Sequence, residues 1–322
     1  MTRRFFIQIL LALGLGNFFP KLAQAENLVV SSGQGTVNSN NKSLSTVHYP
    51  LSAKMLIFAD SQCVDYKVWK KVADAAVTKF PDAEVATVIG DLVDNGEADW
   101  QWREWFQAAE ILLRGRIFLP VCGNHECYNL DWKFCLPENY LQRFNVEHFY
   151  SFDYGAATFF ILNNNFEELN QFMPDLQTEQ ENFLRRAVAE SNKTWKIVLM
   201  HKDIFDYAEN KFNDIAEIFL PLFDELKIDL VFTGHLHTYR NRGKIFNFKK
   251  SASGTCYILC GRAGDQKYLE NISEVDEVTF PNADKTFEPE TFIEVDIAEK
   301  FLTLNCLTVS GEFFDKFTLQ KN

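Results

Sequence analysis

Between residues 54 and 122 the hydrophobic pattern switches repeatedly between two spacings. Residues 54–59 (KMLIFA), 84–89 (EVATVI) and 116–122 (RIFLPVC) are short apolar runs of the kind that form buried strands. Residues 64–80 and 100–113, between them, repeat apolar side chains three and four positions apart, as an amphipathic helix does. Strand, helix, strand, helix, strand predicts an α/β core. Further strands are predicted at 157–163, 195–200, 228–232 and 256–259, with helices at 178–191 and 214–226. The tail differs in character. Residues 291–297, 301–309 and 312–319 read as antiparallel strands joined by tight turns, so a second sheet built partly from hairpins is expected to face the first.

Most residues able to hold a cation fall where a predicted strand gives way to a loop. Asp60 ends the first strand. Asp91 follows the second in Gly90-Asp91-Leu92-Val93-Asp94, and Asn124 and His125 follow the third in Gly123-Asn124-His125-Glu126. His201 ends the strand at 195–200, and His235 and His237 follow the next in Gly234-His235-Leu236-His237. Ligand sites in open α/β sheets collect at the carboxyl ends of strands, so these side chains are placed to converge. The glycines suit the tight turns required there. Carboxylate oxygen, amide oxygen and imidazole together suit Mn, Fe or Zn. Taken singly, Asp60 or Asp91 could serve only to turn the backbone, and any one histidine could be a core residue.

The five blocks, in this order, resemble the calcineurin-like metallophosphoesterase superfamily. Gly234-His235-Leu236-His237-Thr238-Tyr239-Arg240, followed by Gly261-Arg262-Ala263-Gly264, is similar to the last blocks of its purple acid phosphatase-like branch. The resemblance runs over about residues 55–319. It implies two facing mixed β-sheets flanked by helices, a four-layer αββα sandwich. It also implies two divalent or trivalent metal ions about 3.5–4 Å apart. Carried over block by block, Asp60, Asp91 and His237 hold the first ion, Asp91 bridges, and Asn124, His201 and His235 complete the second. The implied reaction is hydrolysis of a small phosphate mono- or diester by a metal-bound hydroxide. His125 protonates the leaving oxygen, with Glu126 or a nearby carboxylate to orient it. Arg240 either touches the substrate or is a solvated surface residue.

Two departures matter. Where most of the superfamily has Asp-x-His in the first block, this chain has Asp60-Ser61-Gln62, and where the purple branch supplies a tyrosine three residues after the bridging aspartate it has Asp94. Gln62 is therefore expected to complete the first site through its side-chain oxygen, with Asp94 the alternative, and no phenolate-to-iron colour is expected. A weakened first site leaves open a relative that binds phosphate ligands or a partner without turnover. A nuclease is a further alternative, but the net charge of −12 and the lack of a basic stripe count against nucleic-acid partners.

Residues 1–25 read as an export signal: Arg3 and Arg4, an apolar run, then Ala23-Gln24-Ala25 as a small-x-small cleavage site. Thr2-Arg3-Arg4-Phe5-Phe6 resembles a twin-arginine signal, with Lys21 in keeping and Gln8 a departure. The run is too short to span a membrane, so no anchor is expected after cleavage, and the protein is expected in the periplasm or outside the cell. Residues 26–48 read as a flexible lead-in and 49–322 as the phosphoesterase domain. The oligomeric state has no sequence signal. Cys256 and Cys260 lie on one predicted strand, too far apart to bridge, whereas Cys127 and Cys135 could close a loop. Trp100, Trp102 and Trp105 read as packing residues of one helix, and 270–289 as an acidic, irregular surface loop.

Overall fold

The computed structural model describes residues 52–206, 211–268, 272–280 and 286–321. The expected signal at 1–25 and lead-in at 26–48 lie outside the described residues. In chain order the strands are β1 Ala53–Phe58, β2 Val85–Ile89, β3 Ile117–Val121, β4 Tyr150–Tyr154, β5 Ala157–Ile161, β6 Trp195–Leu199, β7 Leu230–Thr233, β8 Tyr239–Phe246, β9 Lys249–Lys250, β10 Thr255–Cys260, β11 Val278–Thr279, β12 Thr291–Ile297, β13 Phe301–Thr308 and β14 Phe313–Gln320. The helices are α1 Lys67–Lys79, α2 Asp99–Ala108, α3 Glu110–Leu113, α4 Glu138–Phe144, α5 Phe166–Leu169, α6 Leu176–Glu190 and α7 Asp214–Leu226.

The strands form two sheets, ordered β14-β13-β12-β1-β2-β3 and β11-β8-β10-β7-β6-β5-β4, with β9 paired to β8. Both are mixed. β1, β2 and β3 run parallel while β12 joins β1 antiparallel. β5, β6, β7 and β10 run parallel while β4 and β8 join antiparallel. Alternate residues sort to opposite faces, as the two-residue period of a strand dictates. Met55 and Ile57 of the first sheet cluster with Phe159, Ile197, Leu230 and Ile258 of the second, so one apolar core lies between the sheets. Leu56 and Phe58 face the other way, into a core shared with Trp69, Trp102 and Trp105 of α1 and α2. The outer face of the second sheet adds Phe160, Val198 and Val231, in the same cluster as Leu184 of α6 and Phe219 and Phe223 of α7. The αββα layering implied by the resemblance is therefore the observed architecture. Trp102 and Trp105 are core residues, whereas Trp100 is half exposed.

The predicted helix at 100–113 is broken at Ala109 into α2 and α3. β4 and β8 had no counterpart among the predicted strands. β8 reads YRNRGKIF, with charge where a buried strand should be apolar, yet its first five residues are all buried. Its charges are neutralised from the segment expected as an irregular surface loop. In that segment β11 pairs with β8, and Asp276 and Glu288 are buried against Arg242 and Arg240. The described part of 270–289 is thus partly core, a correction to the sequence reading. All seven cysteines are free thiols, Cys127 and Cys135 included.

Candidate metal centre

The loops that leave β1, β2, β3, β6 and β7 meet at one edge of the sandwich, three from one sheet and two from the other. Four of the candidate ligands sit in left-handed backbone: Asp60 at φ 49°, Asp91 at 51°, His235 at 76° and His237 at 56°. Such conformations cost about 1–3 kcal/mol each for residues other than glycine and persist only where surroundings enforce them. Here the enforcement is visible. The His235 amide donates to Asp60 Oδ1 at 2.9 Å, the Gly234 amide to the His201 carbonyl at 2.8 Å, and the Gly264 amide to the Asp60 carbonyl at 2.8 Å. The buried Glu126 carboxylate accepts four backbone N–H groups: Gly123 at 2.7 Å, Leu92 at 2.8 Å, Asp91 at 3.0 Å and Val93 at 3.2 Å. Glu126 therefore fixes the turns that carry Asp91 and Asn124 and does not orient the His125 ring, as the sequence reading had allowed. Gly123 is obligatory, because a Cβ there would lie 2.2 Å from the Asp91 amide nitrogen and from Oδ1.

Among the described residues two donor groups emerge, Asp91–His201–His235 and Asp60–Asp91–His237, with the atoms of each within 4.8 Å of one another. Asp91 belongs to both. His201 Nδ1 donates to the Ile89 carbonyl at 2.8 Å, which points Nε2 into the site. That nitrogen faces Asn124 Oδ1 at 3.0 Å and Asp91 Oδ2 at 3.1 Å. Three potential ligand atoms around one buried point, with two acceptor oxygens beside one nitrogen, are the arrangement a cation resolves, whether a proton or a metal ion. His237 repeats the device. Nδ1 donates to the Gln266 carbonyl at 3.1 Å, and Nε2 lies 3.4 Å from both Asp60 Oδ1 and Gln62 Nε2. Gln62 is fully buried, and its Oε1 has no hydrogen-bond partner. The donor chemistry and this orphaned oxygen fit a pair of metal ions.

The electrostatics agree. Burial alone would raise the Asp91 carboxyl, but the His201 and His125 imidazoles outweigh it and hold Asp91 well below the usual carboxylate range. Burial opposes a charged His201, yet the adjacent Asp91 carboxylate raises it to about 9, so a metal ion bound there would displace the Nε2 proton. Burial, with His201 alongside, pushes His235 down to about 3, so its ring is neutral and able to donate a lone pair. The site thus pulls positive charge toward Asp91 while keeping a neutral imidazole beside it.

His125 stands apart from both donor groups. Its backbone N–H donates to Asp91 Oδ1 at 2.9 Å, and its ring Nδ1 donates to the Asp94 carbonyl at 2.7 Å. The Asp94 carboxylate lies 3.6 Å from the same nitrogen. Asp94 therefore braces His125 and falls in neither donor group. Burial lowers His125, but Asp91 and Asp94 more than offset it, so the ring is raised above its ordinary value.

Arg240 does not join these residues. It is fully buried on β8, 2.5 Å from Glu288 Oε1, and so is not the solvated surface residue that was one alternative. The surface alternative failed because no apolar pattern marked β8 as a buried strand. The buried run Asn163-Asn164-Asn165, assigned nothing from sequence, is a scaffold. Asn164 accepts from the Lys202 amide and donates to the Lys202 carbonyl just after His201, and Asn165 donates to the Cys122 carbonyl just before the Gly123 turn.

The profile of the calcineurin-like phosphoesterase family matches residues 53–239. Purple acid phosphatase 22 of Arabidopsis thaliana is 24% identical over 208 residues, 58% of this chain and 46% of that protein. Phosphoenolpyruvate phosphatase of Allium cepa is 27% identical over 202 residues, 54% of this chain and 41% of that protein. The chain thus spans less than half the length of these curated relatives. Among solved structures, purple acid phosphatase PPD1 from yellow lupin (Lupinus luteus) superposes with a TM-score of 0.68 at 20% identity, covering 85% of this chain and 55% of that one. GAP50, described as the anchor in the inner membrane complex of Plasmodium, superposes at 0.60 with 15% identity, covering 84% and 89%. With the family profile spanning the loops that leave β1, β2, β3, β6 and β7, this chain belongs to the calcineurin-like phosphoesterase family.

Proposed function

We propose that the protein is an exported hydrolase of small phosphate mono- or diesters that works with two metal ions. The observation that carries this reading is Asp91. It is shared by both donor groups, and its Oδ1 accepts the backbone N–H of His125, so donors and proton source form one unit. In the proposed assignment Asp60, Gln62, Asp91 and His237 hold one ion, and Asp91, Asn124, His201 and His235 the other. Two such ions would supply an activated water, whose pKa falls to about 7, and draw charge from the phosphoryl oxygens.

The protein's own residues do the rest. Ile89 and Gln266 fix the tautomers of His201 and His237 through their carbonyls, so both rings present Nε2 to the site. The Asp94 carbonyl fixes His125 Nδ1, so Nε2 is the atom free to give a proton to the leaving oxygen. The neutral leaving alcohol then departs, and what remains at the site is phosphate from a monoester or a phosphate monoester from a diester. Export rests on Arg3, Arg4 and the apolar run that follows. No described helix is long and apolar enough to cross a membrane.

The test is hydrolysis of nitrophenyl phosphate and bis(nitrophenyl) phosphate by purified protein loaded with Mn, Fe or Zn. Turnover of either ester, lost on chelation and restored by metal, is expected. Loaded protein that turns over neither would rule out the enzymatic reading in favour of binding alone.

A further inference from the structure

Beside His125 the chain spends an indole on solvent. Trp132 is 55% exposed, and its ring stands edge-on to His125, with centroids 6.3 Å apart and planes at 89°. Tyr128 completes the corner, 5.9 Å from both rings. Tryptophan usually hides its large apolar surface, so an exposed one held against a proton donor calls for a reason.

The loop is not floppy. Tyr128 pairs with Phe134 across a β-bridge, and their rings pack 5.4 Å apart. Asn129 accepts the amides of Asp131 and Lys133 on its side-chain oxygen, and its carbonyl accepts the Trp132 amide at 2.9 Å. Asn95, next to Asp94, donates to the same carbonyl at 2.6 Å, which ties this turn to the one that braces His125. Trp132 itself sits at φ 58°, a left-handed conformation disfavoured for a bulky residue. A strained residue in an over-determined turn, with its ring kept in the open, is pre-organised to receive something flat.

We propose that Trp132, with Tyr128, is a stacking platform for the leaving group, so that the site favours phosphate esters whose leaving group carries an aromatic ring or nucleobase. This rests on the proposed role of His125, which places the leaving oxygen on this side of the centre. The partly exposed Asp94 carboxylate on the same rim opposes a long polyanion there, which points to a single small ester.

Adenosine 5′-phosphate and ribose 5-phosphate test this, because both release a primary 5′ oxygen and differ in the base. The wild-type protein is expected to favour the nucleotide in kcat/KM by about 5- to 150-fold, the range of one base–aromatic stacking contact. Trp132→Ala should bring that ratio close to one, and Trp132→Phe should keep most of it. Independently of turnover, the nucleotide should quench indole emission where ribose 5-phosphate does not, and that quenching should vanish in Trp132→Phe. A wild-type ratio near one, or a ratio unmoved in a Trp132→Ala protein that melts like wild type, would overturn the platform and leave the hydrolase standing. Quenching that depends on Trp132 without turnover of either ester would uphold the platform and sink the hydrolase.

Discussion

Gln62 is the residue on which the chain departs most from the common superfamily pattern. Its amide points at His237 with Nε2 at 3.4 Å, while Oε1 is buried without a partner. A half-turn of the amide exchanges the two atoms and sets an oxygen facing the point that Asp60 and His237 share. Gln62→Ala should therefore weaken metal binding at the first site by at least about 10-fold, the lower end of what even indirect ligand partners contribute. Gln62→His should bind at least as tightly as wild type. Unchanged affinity on titrating Gln62→Ala with metal would show that the site takes its last ligand elsewhere. His125 has the opposite profile. His125→Asn should keep both ions and slow hydrolysis by about 10²–10⁴-fold. The loss should be larger for alkyl phosphates, whose leaving oxygen needs a proton, than for nitrophenyl phosphate. An equal loss for both esters, or loss of metal, would contradict its role as proton donor.

The turns between strands and helices carry these residues, and Glu126 shows how. One carboxylate oxygen holds the amides of Asp91 and Gly123, and the other those of Leu92 and Val93. Glu126→Gln turns an NH₂ group toward two of those donors and leaves them buried without acceptors, at about 1–3 kcal/mol apiece. It should lower the melting temperature and, because the Asp91 turn moves, loosen both ions together. A Glu126→Gln protein with wild-type melting and metal affinity would show that the turn holds without it. Glycine, asparagine and histidine at strand ends made these turns legible in the sequence, because their types announce turns and ligands. The function of Glu126 was not legible, since nothing in GNHE tells whether a glutamate faces a ring or a row of amides. β8 was invisible for a related reason. Its arginines are buried only because Asp203, Asp276 and Glu288 arrive from distant segments, and no local pattern records that pairing. Strands whose partners are apolar, such as β2 with its five buried residues, announce themselves.

At the scale of the whole molecule, two mixed sheets share one core and bring five strand ends to a single edge. The fold was legible because the parallel strands are largely buried on both faces and so read as nearly continuous apolar runs. The placement of the site followed from the carboxyl-end rule. The net charge of −12 is compatible with the proposed anionic substrate, because bound cations would reverse the local sign. If the twin-arginine reading of the N-terminus is right, the protein crosses the membrane folded. Replacing Arg3 and Arg4 with lysine should then block export although the charge is kept, whereas normal export of that double variant would point to the ordinary secretory route. The central claim remains that Asp91 joins two ligand sets into one centre. Elemental analysis of purified protein after loading with Mn, Fe or Zn tests it most directly. Two ions per chain are predicted, with both depleted together in Asp91→Asn. A wild-type protein that never holds more than one ion, or an Asp91→Asn protein that still holds two, would contradict it.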